Sequence, residues 1–233
     1  MGLILNIETS TTVCSVNIAK DGSKLIGRET NEQNAHSKIL TVFIDEILKE
    51  SEIKATDLHA IAVSKGPGSY TGLRIGVSVA KGIAYGANIP LVSVNTLQSM
   101  VIGAKKLINT DVDDKILFAP MIDARRMEVY TALFNSKLEF QNEISAKIID
   151  EDSFKEELNN YKLYFFGDGA AKCKDAIKHE NAVFIENLHP SADYMIPFSE
   201  QAFTDKTFED VAYFEPFYLK DFVATVPTKN IFG

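Results

Sequence analysis

Residues 66–76 read GPGSYTGLRIG, and this stretch decides how the rest of the chain is interpreted. It follows an apolar run at 60–63, typical of a strand, and opens a segment from about 73 to 85 that is typical of a helix. Free backbone N–H groups at a helix start bind anions, whereas glycines at such a joint also serve a tight turn. The stretch has neither the Gly-Lys-Ser/Thr of a Walker A loop nor the glycine spacing of a dinucleotide fingerprint. It predicts a strand–turn–helix unit without assigning it a nucleotide.

Small residues recur at four-residue spacing along the helix that begins in this stretch. One set is Gly72, Gly76 and Ala80, and a second is Gly82 and Gly86. A glycine weakens a helix by about 1 kcal/mol relative to alanine, so its repeated use indicates a contact that needs the missing side chain. Small residues on one face let another helix approach closely. We interpret the pattern as helix–helix packing, inside the chain or across an interface.

The elements around this unit predict a sheet with helices on its faces. Three strands come first, at 3–7, 13–19 and 24–30, with Asp21-Gly22 marking the second hairpin. The pattern then predicts a helix at 35–50, the strand at 60–63, the helix at 73–85, a strand at 91–94 and a helix at 96–109. A meander followed by strand–helix alternation gives a mixed sheet flanked by helices, so the fold class is α/β.

The second half of the chain repeats this order of elements without repeating the sequence. Strands are predicted at 116–122, 127–134 and within 138–149, then a helix at 150–158, a strand at 163–166 and a helix at 170–177. The polar, acidic residues 109–115 separate the halves. We therefore expect one lobe at 1–109 and a smaller, related lobe at 110–233. The residues from Ser191 onward show no pattern that assigns their elements.

Composition narrows the classes of function. The chain has a net charge of −8 and a pI of about 5.1. A protein that binds a nucleic acid by itself usually carries a basic patch, because neutralising phosphates supplies most of the affinity. If a nucleic acid is involved, another subunit is expected to make most of the contact. The N-terminus is not that of a signal peptide and no stretch is apolar enough to span a membrane, so we expect a cytoplasmic protein.

The helix predicted at 35–50 has an unusually wide apolar face. Its apolar residues spread over about half the circumference, whereas a stripe of about 100° suffices to cover one core. They are Ile39, Leu40, Phe43, Ile44, Ile47 and Leu48. The width fits two burial surfaces, one inside the domain and one against a partner. It fits equally a helix lying in a deep groove of its own fold.

Few residues are of a type and arrangement suited to catalysis or to binding a phosphate or a metal ion. Residues 8–11, Glu-Thr-Ser-Thr, follow the first strand and could hold a phosphate or form a polar turn. Asp123 and Glu128 flank Arg125 and Arg126, and could either pair with these arginines or bind a phosphate. None of the four histidines stands in an HxxxH or HExxH arrangement, and the two cysteines are far apart. We therefore predict no metal site, no disulfide and no nucleophilic site.

At 66–76 the chain closely resembles the GPGSFTGLRIG signature of the TsaB family, with tyrosine in place of one phenylalanine. Other segments are similar to that family in the same order. They are residues 7–10, 35–37, 123–126 with 128–130, and 216–219. The resemblance covers nearly the whole chain and is densest over 3–130.

The resemblance implies a fold and a role. The fold is an actin-like, ribonuclease H-like duplication, in which each of two lobes has a mixed sheet flanked by helices. The role is that of a non-catalytic scaffold that pairs with a TsaD-type catalytic subunit and, with a TsaE-type ATPase, supports transfer of threonylcarbamoyl to the tRNA adenosine beside the anticodon. It implies a homodimer when alone, contact with tRNA only through the complex, and no cofactor of its own. ATP or ADP at the complex interface is left open.

The resemblance also assigns residues. Thr96 and Met100 stand where the catalytic relative has its two metal-binding histidines, so no catalytic or metal residue is expected. The partner interface is expected to include Ile39, Phe43, Ile47, Gly72, Gly76, Val77 and Ala80. A vestigial nucleotide or phosphate site would comprise Glu8, Ser10, Thr11, Asp123, Gly167 and Gly169. Glu8 departs from the aspartate of many relatives, which puts remaining phosphate affinity in doubt.

Three other functions compete with the scaffold. An active kinase or ATPase of the same fold would need a catalytic carboxylate, for which Glu8 and Asp123 are the candidates. A peptidase would need a metal triad or a Ser/His/Asp set, and the sequence offers neither convincingly. A homodimeric binding module would need neither a metal triad nor a Ser/His/Asp set.

Overall fold

The computed structural model describes residues 2–32, 36–108 and 113–220, where the strands form two separate sheets. The first sheet and its helices comprise β1 (Leu3–Glu8), β2 (Cys14–Lys20), β3 (Ser23–Thr30), α1 (His36–Glu50), β4 (Ala60–Gly66), α2 (Tyr70–Ala87), β5 (Leu91–Asn95) and α3 (Thr96–Ile108). The strand order is β3-β2-β1-β4-β5, antiparallel through the meander and parallel from β1 to β5. The predicted meander and strand–helix alternation are confirmed, while Ala35, the predicted helix start, lies outside the described residues.

The second sheet has the same topology. Its elements are β6 (Ile116–Asp123), β7 (Glu128–Thr131), β8 (Phe134–Asn135), β9 (Ser145–Ile148), α4 (Lys155–Asn160), β10 (Lys162–Phe166), β11 (Ala182–Phe184) and α5 (Ala192–Thr204). The strand order β9-β7-β6-β10-β11 repeats that of the first sheet, with β8 pairing to β6. The predicted α/β fold of actin-like type, with two related mixed sheets flanked by helices, is confirmed.

Helices cover both faces of the first sheet. Side chains of a strand point to opposite faces in turn, so neighbouring residues of β1 enter different cores. Leu5 and Ile7 pack with the buried sides of α1 and α2, whereas Ile4 packs with Met195 of α5 on the opposite face. Each fully buried Leu or Ile contributes about 1.5–3 kcal/mol relative to exposure. The two cores hold the carboxyl ends of β1, β4 and β5 in fixed positions.

The last helix returns to the first sheet. Ser191 caps α5, and the helix packs on β1 and β5. The Ser15 hydroxyl accepts a hydrogen bond from the Ala192 N–H (3.0 Å), and the Asn17 amide donates to the Asp193 carboxylate (3.0 Å). The proposed division at 109/110 falls in the undescribed residues 109–112 and stays a prediction. The structure adds that α5, although it lies in the second half of the sequence, packs on the first sheet, on the face opposite α1 and α2.

Two sequence predictions in the second half are corrected. The helix predicted at 170–177 is a single 3-10 turn, Ala171–Cys173, followed by turns in which the N–H groups of Ala176 and Ile177 donate to the Cys173 carbonyl. A nucleus of one turn does not propagate unless packing supports it. The strand predicted at 127–134 is divided into β7 and β8, because the first pairs with the end of β6 and the second with its beginning.

A segment of irregular structure, residues 205–220, follows α5 and is called the C-terminal strap here. It begins along the free edge of β5, where the Glu209 N–H donates to the Leu91 carbonyl (2.8 Å). Further on, the Phe217 N–H donates to the Lys65 carbonyl (2.7 Å). At its end Lys220 forms an ion pair with Glu128 of β7. The strap therefore contacts both sheets.

No helix within the described ranges combines the length and apolar character that crossing a membrane demands.

Candidate functional site

The turn between β1 and β2 holds the first group of predicted phosphate-binding residues. Glu8 ends β1 and is fully buried, as is Ser10, while Thr11 is almost so. One Glu8 carboxylate oxygen accepts a hydrogen bond from the Ser10 N–H (2.6 Å). The other meets no donor in hydrogen-bond geometry within the described part of the chain. The structure thus brings these three predicted residues together, but in the interior.

Burial changes the chemistry of this carboxyl group. Desolvation raises the pKa of Glu8 above its ordinary value, and the nearby donor groups of Ser10, Ser64 and Thr9 only partly oppose this rise. A carboxyl group whose charged form is disfavoured is a poor ligand for a hard cation such as Mg²⁺. The turn is therefore poorly suited to hold a metal–nucleotide complex.

The glycine-rich segment 66–76 seals this turn. The Ser69 N–H donates to the Ser10 carbonyl (2.6 Å). A Cβ atom placed on Gly68 would collide with Ser10, and one placed on Gly72 or Gly76 would collide with Thr9. These three glycines are therefore needed because the segment and α2 lie directly on the turn. A phosphate could reach Glu8 or Ser10 only if the segment moved away.

The second group of predicted residues lies in the second lobe. The Asp123 N–H donates to the Asp168 carboxylate (3.0 Å), and the Asp123 carboxylate accepts from the Arg125 N–H (2.9 Å). Gly169 packs behind this turn, since a Cβ there would lie 3.0 Å from the Asp123 nitrogen. Gly167 has a φ of +104°, a conformation that favours glycine. Asp123, Gly167 and Gly169 are thus brought together, with structural reasons for both glycines.

The two groups do not form one site in this structure. Within residues 2–32, 36–108 and 113–220, no hydrogen bond or ion pair joins the β1–β2 turn to the turn at Asp123. A cavity of about 300 Å³ lies instead at the carboxyl ends of β4 and β5, where Lys65, Asn95 and Gln98 are among its lining residues. The assignment of nucleotide-binding residues stays a prediction.

The acidic residues beside the arginines pair with lysines. Lys172 forms an ion pair with Asp123 and also donates to the Glu128 carbonyl (2.7 Å), and Lys220 pairs with Glu128. The alternative in which Asp123 and Glu128 pair with Arg125 and Arg126 is therefore wrong. It failed because both lysines are distant in sequence and only the fold brings them to the turn.

Thr96 and Met100, which the resemblance places where the catalytic relative has its metal-binding histidines, are completely buried on α3. Within the described residues no group of three or more His, Cys, Asp or Glu side chains is placed to hold a metal ion. Neither residue offers a hard cation a charged ligand. Here α3 contributes buried side chains to the apolar core that lies between it and β6.

Most residues predicted for a partner interface face the chain's own core. Five positions are buried, namely Ile47, Gly72, Gly76, Val77 and Ala80. The β1–β2 turn and the core beneath α1 and α2 cover these five positions, which is a physical argument against direct contact with a partner. Their place in an interface stays a prediction.

Ile39 and Phe43 are only half-buried. The exposed and half-buried apolar residues and glycines of the two helices are together called the outer α1–α2 face. Its residues are Ile39, Val42, Phe43, Ile75, Val79, Gly82, Ile83, Tyr85 and Gly86. Val42 is 49% exposed and Tyr85 is 83% exposed. A Cβ on Gly82 or Gly86 would meet nothing within 4 Å. The second glycine set in the helix therefore does point outward.

An aromatic cluster at the start of α2 was not predicted from the sequence. The Tyr70 and Tyr218 rings lie 4.9 Å apart, and the Arg74 guanidinium lies 4.9 Å from the Tyr70 ring centre. Arg74 and Tyr70 could have been paired from their four-residue spacing on a helix. Tyr218 could not, since only the strap brings it there.

Comparison with known proteins agrees with this geometry. The model of the family described as TsaD: tRNA N6-adenosine threonylcarbamoyltransferase matches residues 25–228. The curated tRNA threonylcarbamoyladenosine biosynthesis protein TsaB of Escherichia coli (strain K12) is 32% identical over 232 residues, 95% of this chain and 96% of the relative. TsaB of Haemophilus influenzae is 29% identical over 227 residues, 94% of this chain and 93% of the relative.

Solved structures give the same fold. A Pseudomonas aeruginosa structure, described as an uncharacterized protein with similarity to peptidase YEAZ, superposes with a TM-score of 0.82. It is 22% identical and covers 94% of this chain and 100% of that one, which supports the two-lobed fold alone. With the family model matching well over half of the chain, and a curated relative at 32% identity along nearly its whole length, the chain belongs to the TsaB family.

Proposed function

We propose that this chain takes part in threonylcarbamoyladenosine modification of tRNA, as the non-catalytic subunit that pairs with a TsaD-type catalytic subunit and works with a TsaE-type ATPase. Membership of the TsaB family supports the pathway. In this proposal the chain carries no catalytic residue and binds no cofactor of its own. Its contribution is to hold the catalytic subunit in an active assembly.

The observation that carries the non-catalytic role is the sealed β1–β2 turn. An ATPase of this fold would need an accessible carboxylate and hydroxyls beside the phosphates, but Glu8 and Ser10 are fully buried under the glycine segment. The raised pKa of Glu8 also disfavours the charged form that magnesium requires. Any ATP or ADP in the assembly is then bound at the interface with the partner rather than in this turn.

The outer α1–α2 face supports the pairing. An exposed glycine in the middle of a helix, such as Gly82, costs about 1 kcal/mol relative to alanine. A Cβ on Gly82, or on Gly86 in the last turn, would meet nothing among the described residues, so neither glycine is required by packing there. Their position between half-buried apolar residues suits close packing of a partner helix. In the absence of a partner, the same face would pair two copies of this chain around a two-fold axis. The cytoplasm is the expected compartment.

Reconstituted transfer tests this function. Threonylcarbamoyl incorporation into tRNA is measured with the catalytic subunit and the ATPase, in the presence and absence of this chain. We expect transfer to require the chain, while the chain alone neither modifies tRNA nor hydrolyses ATP. Transfer that is unaffected by its omission would contradict the proposal. ATP turnover by the isolated chain that disappears in Glu8→Ala would favour the ATPase instead.

A surface variant tests the pairing face. Gly82→Leu fills open space on the outside of α2, so the chain should fold normally. We expect the dissociation constant for the catalytic subunit to rise at least about tenfold, corresponding to about 1.4 kcal/mol. The control is Asn159→Leu, which places the same side chain at an exposed position of α4. Equal affinity for the two variants would remove the outer α1–α2 face from the proposal.

A further inference from the structure

The turn between β6 and β7 ends in two exposed arginines with unusual backbone conformations. Arg125 has a φ of 72° and Arg126 a φ of 49°. Side chains with a Cβ rarely adopt positive φ, and two consecutive residues of this kind cost conformational free energy that glycine or asparagine would largely avoid. Such outliers concentrate at functional sites. The turn therefore retains arginines at a cost to its own stability.

Within the described residues, neither arginine balances the charge of an acidic side chain. The Asp123 and Glu128 carboxylates are paired with Lys172 and Lys220. Within residues 2–32, 36–108 and 113–220, no ion pair involves Arg125 or Arg126. Both side chains are exposed and form no ion pair with the described residues, on a chain whose net charge is −8.

Hydrogen bonds within the turn fix the backbone that carries the two arginines. The Ala124 N–H donates to the Glu128 carbonyl and the Glu128 N–H donates to the Arg125 carbonyl, both at 3.1 Å. The Asp123 carboxylate accepts from the Arg125 N–H (2.9 Å) and fixes the start of the turn. A backbone held in this way loses little further freedom when a ligand binds.

We propose that Arg125 and Arg126 bind phosphate groups of the tRNA backbone, so that this chain contacts the tRNA directly within the assembly. The inference rests on the proposed function and adds a contact to it. The planar guanidinium group donates two parallel hydrogen bonds to phosphate, which an ammonium group does not match. Protein carboxylates would also pair with guanidinium groups. Loss of complex assembly in the arginine variant is the outcome that would identify a protein partner instead. Because the chain as a whole is acidic, we expect it to contact the tRNA only through these two arginines.

The test combines Arg125→Asn with Arg126→Gly, since both new residues accept positive φ. The assembled complex is used, and its affinity for unmodified tRNA is measured at several salt concentrations beside kcat. We expect affinity to fall about tenfold and the slope of log affinity against log salt to become shallower by about 1.5, since each phosphate contact contributes about 0.7–0.9. The melting temperature of the isolated chain should rise, because the backbone is relieved.

Two controls separate this contact from general effects. Lys155→Ala with Lys162→Ala removes the same charge from exposed positions of the second lobe, and tRNA affinity should be unchanged. Arg125→Lys with Arg126→Lys keeps the charge and should retain most of the salt slope while losing part of the affinity.

The outcomes are distinguishable. A higher melting temperature with unchanged tRNA affinity would make the arginines structural only and overturn the proposal. An equal loss of affinity in the lysine control would overturn it too, as would loss of complex assembly, which would indicate an acidic protein partner. In each of these cases the scaffold function stands, because it fails only if transfer proceeds without the chain.

Discussion

The contact between Gly76 and Thr9 gives the sharpest test of how the glycine segment works. In Gly76→Ala the new Cβ atom would collide with the Thr9 hydroxyl oxygen, which donates a buried hydrogen bond to the Gly72 carbonyl (2.8 Å). Overpacking of this kind costs about 1–3 kcal/mol, and loss of the hydrogen bond about 1 kcal/mol. Alanine returns about 1 kcal/mol of helix propensity. The net expectation is a destabilisation of about 1–3 kcal/mol.

Gly82→Ala is the matched control, because it makes the same change in the same helix at a site where the new Cβ meets nothing within 4 Å. It should stabilise the isolated chain by up to about 1 kcal/mol. Urea unfolding of the purified chain, followed by circular dichroism, measures both changes. A double variant with Thr9→Ala removes the obstructing atom, so Gly76→Ala should cost at least about 1 kcal/mol less in that background.

The result that would refute this reasoning is simple. If Gly76→Ala is as stable as the original chain, or gains stability as Gly82→Ala does, then Gly76 does not pack against Thr9. The β1–β2 turn would then be open, and the case for a non-catalytic chain would lose its main physical support.

Two further predictions concern Glu8 and the strap. Burial raises the pKa of Glu8 above 4.5, so the folded state keeps a proton that the unfolded state releases. The free energy of unfolding therefore falls as pH rises from about 4.5 to the folded pKa, and this contribution is constant at higher pH. Glu8→Gln removes this penalty, so its unfolding free energy should exceed that of the original chain at pH 7 and match it near pH 3; equal pH dependence would contradict the assignment. Lys81 donates to the carbonyls of Ala212 and Phe214 (3.0 and 3.1 Å), so Lys81→Met should raise hydrogen exchange in the strap, whereas Lys49→Met should not. Unchanged exchange in Lys81→Met would mean that other contacts hold the strap.

Local patterns determined much of the fold. The apolar run at 3–7, the Asp21-Gly22 turn and the strand–loop–helix unit around 66–76 are local signals. The structure has these elements within a few residues of their predicted limits. The repeated order of elements likewise predicted two sheets of the same topology. Where the local signal was weak, as at 170–177, the prediction failed.

The direction in which a side chain faces was decided only by the tertiary structure. Four-residue spacing places Gly72 and Gly76 on one face of α2 but does not say what covers that face, and the fold puts the β1–β2 turn there rather than a partner. Pairing of Lys172 with Asp123, and of Lys220 with Glu128, joins residues 49 and 92 positions apart. Spacing along a chain carries no information on such contacts, since they arise only when distant segments pack together.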